Sequence, residues 1–217
     1  MAEDTGAAAH EALLRLAALG PVIPVIVLQR AEDAVPMAQA LVDGGVRVLE
    51  VTLRTPAALA GIEAIRQAVP RAIVGAGTVR TVDEARAAHA AGSAFCVSPG
   101  FSPALASRCA ALGLPWLPGV ATASETMAAH AEGLRFVKFF PATAAGGVPM
   151  LKALAGPFPE MRFCPTGGLT PDTAIGYLAL SNVPVCGGSW LTPADALEAR
   201  DWPRITALAR EAASLRA

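Results

Sequence analysis

The stretch RFVKFFPATAAGG, residues 135–147, sets a single lysine in an apolar, strand-like run that ends at a proline. Lys138 is surrounded by Phe136, Phe139 and Phe140, although lysine is strongly hydrated and is rarely buried without a partner. It is one of two lysines among the 17 Lys and Arg residues, so a positive charge elsewhere in the chain is nearly always an arginine. Because a buried lysine can lose its proton near neutral pH and arginine cannot, this position indicates an amine nucleophile. A structural lysine that is ion-paired or extends to solvent is the alternative interpretation.

This run is one of eight β-rich runs that alternate with alanine-rich segments of helical period. Repeated βα units predict a parallel sheet covered by helices. Eight units favour one α/β domain, residues 1–217, folded as a (β/α)8 TIM barrel with an N-terminal helix. An open doubly wound sheet is the alternative, but GAGTVR after the third strand lacks the third glycine of a dinucleotide-binding fingerprint. The predicted strands cover residues 22–28, 46–53, 72–77, 95–99, 115–119, 135–141, 162–168 and 183–190; predicted helices include 10–19, 32–43, 83–91 and 124–131.

The composition excludes several classes of function. A net charge of −1 gives no electrostatic footprint for nucleic acid or for an anionic membrane. The longest apolar run, residues 21–28, contains two prolines and is far shorter than the ~20 residues of a membrane helix. The first ten residues lack the features of a signal peptide, and the four cysteines form no CxxC pair, which predicts reduced thiols in a cytoplasmic protein. The three histidines do not cluster with other ligands, so no metal site is expected.

Polar residues stand within or just after several predicted strands, where barrel enzymes carry their chemistry. Glu50 lies among apolar neighbours in the second strand, a setting that suits a proton-transferring carboxyl group, and Arg54 is placed to bind a carboxylate. Thr78 and Pro99 follow the third and fourth strands. A structural alternative remains for each residue. In these alternatives Glu50 only pairs with an interior base such as Lys138, and Arg54 is a solvated strand end. Thr78 then only caps the next helix, and Pro99 only ends its strand.

Glycine-rich turns follow the last two predicted strands. Gly167 and Gly168 come after the seventh strand, and Gly187, Gly188 and Ser189 come at the end of the eighth. Turns at these two positions are the usual phosphate site of a barrel, because bare backbone N–H groups converge there on an anion. Either pair alone is more typical of an ordinary tight turn. Both together favour a phosphate site.

The barrel prediction thus places four groups around the end of the barrel where the strands terminate: an interior amine, an interior carboxylate, an arginine and a pair of phosphate-type turns. A neutral amine attacks a ketone to form a Schiff base, and the iminium withdraws electrons from the neighbouring carbon. A carboxylate moves protons to and from that carbon and the new hydroxyl. This is the apparatus of a class I aldolase acting on a small-molecule substrate, which needs neither a metal nor a cofactor.

Seven motifs carry a resemblance that spans the chain from about residue 21 to its C-terminal tail: PVIPVIV, GGVRVLEVTLRTP, AIVGAGTV, VSPG, FVKFFPA, RFCPTGG and GGSWL. Together they closely resemble the 2-dehydro-3-deoxy-phosphogluconate (KDPG) aldolase family, which includes 4-hydroxy-2-oxoglutarate (KHG) aldolase activity. The resemblance implies a (β/α)8 barrel, a homotrimer and a lyase of the Entner–Doudoroff pathway. It implies reversible cleavage of 2-dehydro-3-deoxy-6-phosphogluconate to pyruvate and glyceraldehyde 3-phosphate.

The resemblance also implies roles for single residues. Lys138 is the Schiff-base lysine and Glu50 the general acid and base. The other implied roles are these: Arg54 and Thr78 bind the pyruvate carboxylate, Pro99 and Phe140 line the pocket, Thr166 orients the aldehyde end, and Gly167, Gly168, Gly188 and Ser189 bind phosphate. Gln29 and Arg30, after the first strand, are less basic than the lysine pair expected there. This difference would alter the attraction of a distal phosphate but not the Schiff-base chemistry.

Two further hypotheses remain. The same chemistry could act mainly on a substrate without phosphate, such as 4-hydroxy-2-oxoglutarate or another 2-keto acid aldol; the glycine turns and Ser189 argue against it. A barrel that binds a phosphometabolite without catalysis is the hypothesis from another class. It predicts ligand binding without a covalent adduct.

Overall fold

Nine short parallel strands alternate with helices in the computed structural model, which describes residues 11–215. The strands are β1 Val22–Ile26, β2 Val48–Thr52, β3 Ile73–Gly77, β4 Cys96–Val97, β5 Trp116–Leu117, β6 Gly119–Val120, β7 Phe136–Phe139, β8 Arg162–Pro165 and β9 Cys186–Gly188. Helix α1 is described over residues 11–17, and the predicted start at residue 10 lies outside the described residues. The later helices are α2 Ala34–Asp43, α3 Ala58–Ala68, α4 Val82–Ala90, α5 Pro103–Leu112, α6 Ala123–Ala131, α7 Gly147–Ala155, α8 Pro171–Leu178, α9 Ala194–Glu198 and α10 Trp202–Ala213.

The strands pair in parallel in two sheets, one of order β5-β4-β3-β2-β1-β9 and one of order β6-β7-β8. The predicted strand at residues 115–119 is split at Pro118, which lacks an N–H group and so cannot donate to the ladder. The Pro118 carbonyl still accepts the N–H of Lys138 at 2.8 Å. Glu50 of the first sheet touches Lys138 of the second, so the parallel strands curl around a shared interior. This confirms the predicted α/β class with a parallel sheet.

Helix α1 lies at the N-terminal end of this interior. Its Leu13 and Ala17 are buried in one apolar cluster with Ile23, Val48 and Phe95, residues at or near the starts of their strands. Glu50 and Lys138 lie two residues further along β2 and β7, toward the carboxyl ends of the strands. The chemistry-bearing end of the interior therefore lies opposite the end that α1 covers.

Side-chain caps fix where several helices begin. Thr81 accepts the backbone N–H of Glu84 at the start of α4, and Glu84 returns a bond to the Thr81 N–H. Thr170 caps α8 in the same way, with Pro171 at the first helical position. Thr78 does not cap α4, so that alternative for Thr78 is wrong. In the described part of the chain no helix has the length and apolar character to cross a membrane.

Candidate active site

Lys138 and Glu50 form an ion pair inside the protein. The Nζ of Lys138 lies 3.2 Å from Oε1 of Glu50, and the two side chains are 6% and 4% exposed. Removing two charges from water is costly, and their mutual attraction offsets the cost only when the geometry is close. The structure thus contains the pairing of Glu50 with Lys138 that the structural alternative for Glu50 expects. A pair at hydrogen-bond distance is also the arrangement a base needs to take a proton from an amine.

Strand alternation determines which side chains meet in the interior. Phe136 and Lys138 of β7 face inward, whereas Val137 and Phe139 pack outward against the helices. Phe140 follows the strand, and its ring centroid lies 5.3 Å from the Lys138 Nζ. A phenylalanine face at this distance attracts a cation and keeps water from one side of the amine.

Gly77 is a site residue that the sequence reasoning did not single out. A side chain at this position would overlap the carboxylate of Glu50, because its Cβ would meet Oε1, Cγ and Cδ of that residue. The carboxylate thus occupies the space above the glycine at the end of β3. The sequence contains the GAG motif that marks this close approach, but it does not say which neighbouring side chain fills the space.

Cys164 is a second neighbour of the ion pair. It lies opposite Lys138 in the pairing of β7 with β8 and is 3% exposed. Burial raises the pKa of the Cys164 thiol to about 12; Lys138 opposes the rise and Glu50 adds to it. The thiol therefore stays neutral around physiological pH and adds no third charge to the pair.

Arg54 and Thr78 meet at the rim, at the ends of β2 and β3. The Arg54 Nε donates to the Thr78 Oγ1 at 3.2 Å. Thr78 has a φ of +58°, a left-handed conformation that is strained for a β-branched residue. Backbone strain of this kind clusters at functional sites, where the surrounding structure holds it in place. The exposed guanidinium of Arg54 and the hydroxyl of Thr78 could together receive one carboxylate.

The two glycine turns lie side by side. Thr166 pairs with Gly187 in a parallel bridge that joins the end of β8 to β9. Gly167 and Gly168 have φ values of +99° and +78°, which only glycine adopts at low cost. A side chain at Gly187 would overlap Thr166, so the close approach of the two strand ends requires glycine. Backbone N–H groups of both turns can therefore serve one anion.

Pro99 and Ser189 lie further out on the rim. A side chain at Gly119 of β6 would overlap the carbonyl of Pro99, so the turn after β4 rests directly on that strand. Ser189 lines a cavity of about 860 Å³ between the end of β1 and the turn after β9. The described residues that line it with Ser189 include Arg30 and Thr192, and sequence reasoning did not single out Thr192.

No group of three or more His, Cys, Asp or Glu side chains that could hold a metal occurs within residues 11–215. All four cysteines are buried thiols there, in agreement with the prediction of reduced thiols.

Known proteins resemble this chain over most of its length. The family model for KDPG and KHG aldolase matches residues 13–208. The KHG/KDPG aldolase of Escherichia coli K12 is 55% identical over 193 residues, which cover 89% of this chain and 91% of that protein.

Two solved structures share the fold at high similarity. KDPG aldolase from Legionella pneumophila, with pyruvate captured at low pH as a covalent carbinolamine intermediate, has a TM-score of 0.90 and 45% identity over 92% of this chain and 97% of that chain. The 2-keto-3-deoxy-6-phosphogluconate aldolase of Zymomonas mobilis ZM4 with 3-phosphoglycerate has a TM-score of 0.89 and 46% identity, covering 93% of this chain and 95% of that chain. This chain belongs to the KDPG and KHG aldolase family.

Proposed function

We propose that this protein is a class I aldolase that reversibly cleaves 2-dehydro-3-deoxy-6-phosphogluconate to pyruvate and glyceraldehyde 3-phosphate, as in the Entner–Doudoroff pathway. The observation that carries the proposal is the buried pair of Lys138 and Glu50. A relative that is 45% identical holds pyruvate as a covalent carbinolamine, which supports covalent chemistry in this family.

The reaction begins at the Lys138 amine. Glu50 accepts a proton from Nζ across the 3.2 Å contact, which frees the nitrogen lone pair to attack the keto carbon, C2 of the substrate. The attacking nitrogen then gives up a proton and the C2 oxygen takes one up, and the adduct is a neutral carbinolamine. Loss of that oxygen as water, with protonation by Glu50, leaves a protonated imine on Lys138.

Carbon–carbon cleavage follows from the imine. A base removes the proton of the C4 hydroxyl, the C3–C4 bond breaks, and its electron pair passes through C2 to the iminium nitrogen. The aldehyde departs and an enamine remains. Protonation at C3 gives the imine of pyruvate, and water then releases pyruvate and restores the lysine. Glu50 is the one carboxylate at hydrogen-bond distance from the amine among the described residues, and it serves these proton transfers in turn.

The rim residues orient the substrate. Arg54 and Thr78, in contact at 3.2 Å, bind the pyruvate carboxylate. Phe140 and Pro99 line the pocket, and Thr166 orients the aldehyde end. The backbone of Gly167, Gly168 and Gly188 with the hydroxyl of Ser189 binds the phosphate. The bridge between Thr166 and Gly187, which brings the two turns together, supports this assignment.

We propose in addition that the two sheets are one closed (β/α)8 barrel in a single domain, residues 1–217. Two features support closure: the chain continues from β5 through Pro118 into β6, and the bridge between Thr166 and Gly187 links β8 to β9. Family resemblance supports a homotrimer, for which light scattering would give three times the chain mass of 22.1 kDa. Buried cysteine thiols support a reducing, cytoplasmic location.

Borohydride trapping tests the function directly. The protein is incubated with pyruvate, reduced, and analysed by intact mass and then by peptide mapping. One pyruvate-derived adduct on Lys138, with none on Lys152, is the expected result. If the protein stays unmodified while a control aldolase is labelled, the Schiff-base mechanism is refuted. The hypothesis of a non-catalytic barrel that binds a phosphometabolite then remains.

Two variants accompany the trapping experiment. Lys138→Met removes the amine, and Lys138→Arg keeps a positive charge beside Glu50 so that the buried pair is retained. Both should show no adduct and no cleavage, with circular dichroism spectra like that of the parent protein. Clear residual turnover in the folded Lys138→Arg protein contradicts the Schiff-base assignment.

A second substrate, 4-hydroxy-2-oxoglutarate, is favoured by the name of the Escherichia coli relative, KHG/KDPG aldolase. The ratio of kcat/KM for the two substrates decides which is preferred. The paired glycine turns predict preference for the phosphorylated one.

A further inference from the structure

Two polar groups in the cavity beside Ser189 have no role in the chemistry described above. Thr192 is 6% exposed, and its Oγ1 has no hydrogen-bond partner among the described residues. A buried hydroxyl without a partner is destabilising and requires an explanation. Because Thr192 lines a cavity of about 860 Å³, a ligand that enters the cavity can supply the partner.

The second group is the guanidinium of Arg30. Its Nε donates to Asp33 at 2.6 Å, and its Nη2 reaches the carbonyl of Leu197 at 3.5 Å. Among the described residues, Nη1 has no acceptor. Asp33 is buried and also pairs with Arg200, at 2.8 Å, so that one carboxylate anchors two arginines. Asp33 thus fixes the Nε side of Arg30 and leaves the Nη1 side for a ligand.

The charges around the cavity indicate what kind of ligand group fits. Arg30 is the one basic side chain among the described residues that line it, and Asp33 and Glu198 are the acids. The charge of Asp33 is compensated by its two arginines, whereas Glu198 is exposed and opposes the binding of an anion. Ser189 lies on the same wall, next to the glycine turn assigned to phosphate. An anion held by Arg30 therefore lies close to the end of the substrate remote from Lys138.

Resting on the proposed function, we infer that Arg30 and Thr192 form a distal subsite for the anionic group at the end of the substrate that is remote from the keto acid. Arg30 donates to this anion from Nη1, and the Thr192 hydroxyl bonds to it or to the adjoining oxygen. The group is a phosphate monoester or a second carboxylate, which share this chemistry. Arg30 is then a specificity-determining residue for the aldol that the enzyme accepts.

The first test compares kcat/KM for three aldols: the phosphorylated substrate, the same sugar acid without phosphate, and 4-hydroxy-2-oxoglutarate with its second carboxylate. Arg30→Gln should lower kcat/KM for the phosphorylated aldol about tenfold, mainly through KM, and kcat/KM for the sugar acid without phosphate less than about twofold. A loss on 4-hydroxy-2-oxoglutarate as well identifies a general anion subsite; a loss on the phosphorylated aldol alone identifies a phosphate subsite.

Arg200→Gln is the matched control, because it removes the other arginine on Asp33 with the same change in charge but does not line the cavity. Arg200→Gln should change kcat/KM for each of the three aldols by no more than about twofold. Glu198→Gln should act in the opposite direction to Arg30→Gln and raise kcat/KM for the phosphorylated aldol. Thr192→Val should raise KM for the phosphorylated aldol about threefold, whereas Thr192→Ser, which keeps the hydroxyl, should have a KM close to that of the parent protein. Equal losses in Arg30→Gln on aldols with and without a distal anionic group, or equal effects of Arg30→Gln and Arg200→Gln, would overturn the inference.

The second test does not depend on turnover. Inorganic phosphate is titrated into the protein while the fluorescence of Trp190, which lines the cavity, is followed, with Trp190→Phe as the control for the signal. Phosphate should bind the parent protein and bind Arg30→Gln about tenfold more weakly. Equal binding by both refutes the subsite even if pyruvate labels Lys138. Absence of pyruvate labelling with the binding difference intact refutes the aldolase function and leaves the anion subsite standing.

Discussion

Glu50 and Lys138 are 88 positions apart in the sequence, yet their side chains are in contact. Replacing Glu50 by Gln keeps the shape of the side chain and removes its ability to take a proton. We expect kcat for the phosphorylated aldol to fall by about 10²–10⁴ because general acid–base catalysis contributes that much. Steady-state kinetics give the value, and circular dichroism checks the fold. A loss below tenfold would assign the proton transfers to another group.

Thr78 combines a strained backbone with a contact to Arg54. Thr78→Gly relieves a strain of about 1–3 kcal/mol, but glycine also adds about 0.5–1 kcal/mol of conformational freedom to the unfolded chain. The free energy of unfolding should therefore stay level or rise, while KM for pyruvate in the condensation direction rises because Arg54 loses its partner. Denaturant unfolding and initial rates measure the two effects. A fall in stability with unchanged KM would show that Thr78 is structural.

At the residue scale, chemistry could be predicted from residue type, but packing could not. Lys138 stands out because it is an amine among phenylalanines in a chain that otherwise uses arginine. The importance of Gly77 depends on the carboxylate above it, and Thr192 is informative only because the fold buries its hydroxyl beside a cavity. Both properties arise from neighbours that are distant in sequence.

At the element scale, β3 supports β2 through the missing side chain of Gly77. Gly77→Ala should push the Glu50 carboxylate away from the Lys138 amine and lower kcat at least about tenfold, since small misplacements of catalytic groups are costly. Gly20→Ala is the matched control, because a Cβ there meets no atom within 4 Å. Kinetics of both variants test this. Equal activity of Gly77→Ala and Gly20→Ala would mean that Glu50 adjusts without loss.

Element boundaries could be predicted where the determinant is local. The start of α4 at Val82 lies within one residue of the predicted start at residue 83, because a threonine three residues before its hydrogen-bonding partner specifies a cap. The break between β5 and β6 was not predicted, although Pro118 lies within the predicted strand at residues 115–119. A proline within a strand ends or merely interrupts it according to the neighbouring strand, and here that neighbour bonds to the Pro118 carbonyl.

At the scale of the whole molecule, all four thiols lie in the packed interior. Cys96 and Cys109 have their sulfurs 3.5 Å apart, and that hydrogen bond together with burial raises the pKa of Cys96. Because thiolates and not thiols react, Ellman's reagent should modify less than one thiol per native chain within minutes and all four after denaturation. Rapid labelling of one thiol in the native protein would indicate local opening around it.

The buried pair of Lys138 and Glu50 also limits how heat-resistant this protein can become. Removing one partner leaves an unpaired charge in the interior and lowers the free energy of unfolding by about 3–5 kcal/mol. Apolar side chains at both positions leave the free energy of unfolding unchanged or raise it by about 1–4 kcal/mol. Lys138→Met with Glu50→Leu should therefore melt at or above the temperature of the parent protein, and each single variant below it. Thermal unfolding of the three variants measures this. Selection for thermostability alone would erase the reaction, so an industrial variant should gain its stability elsewhere in the fold.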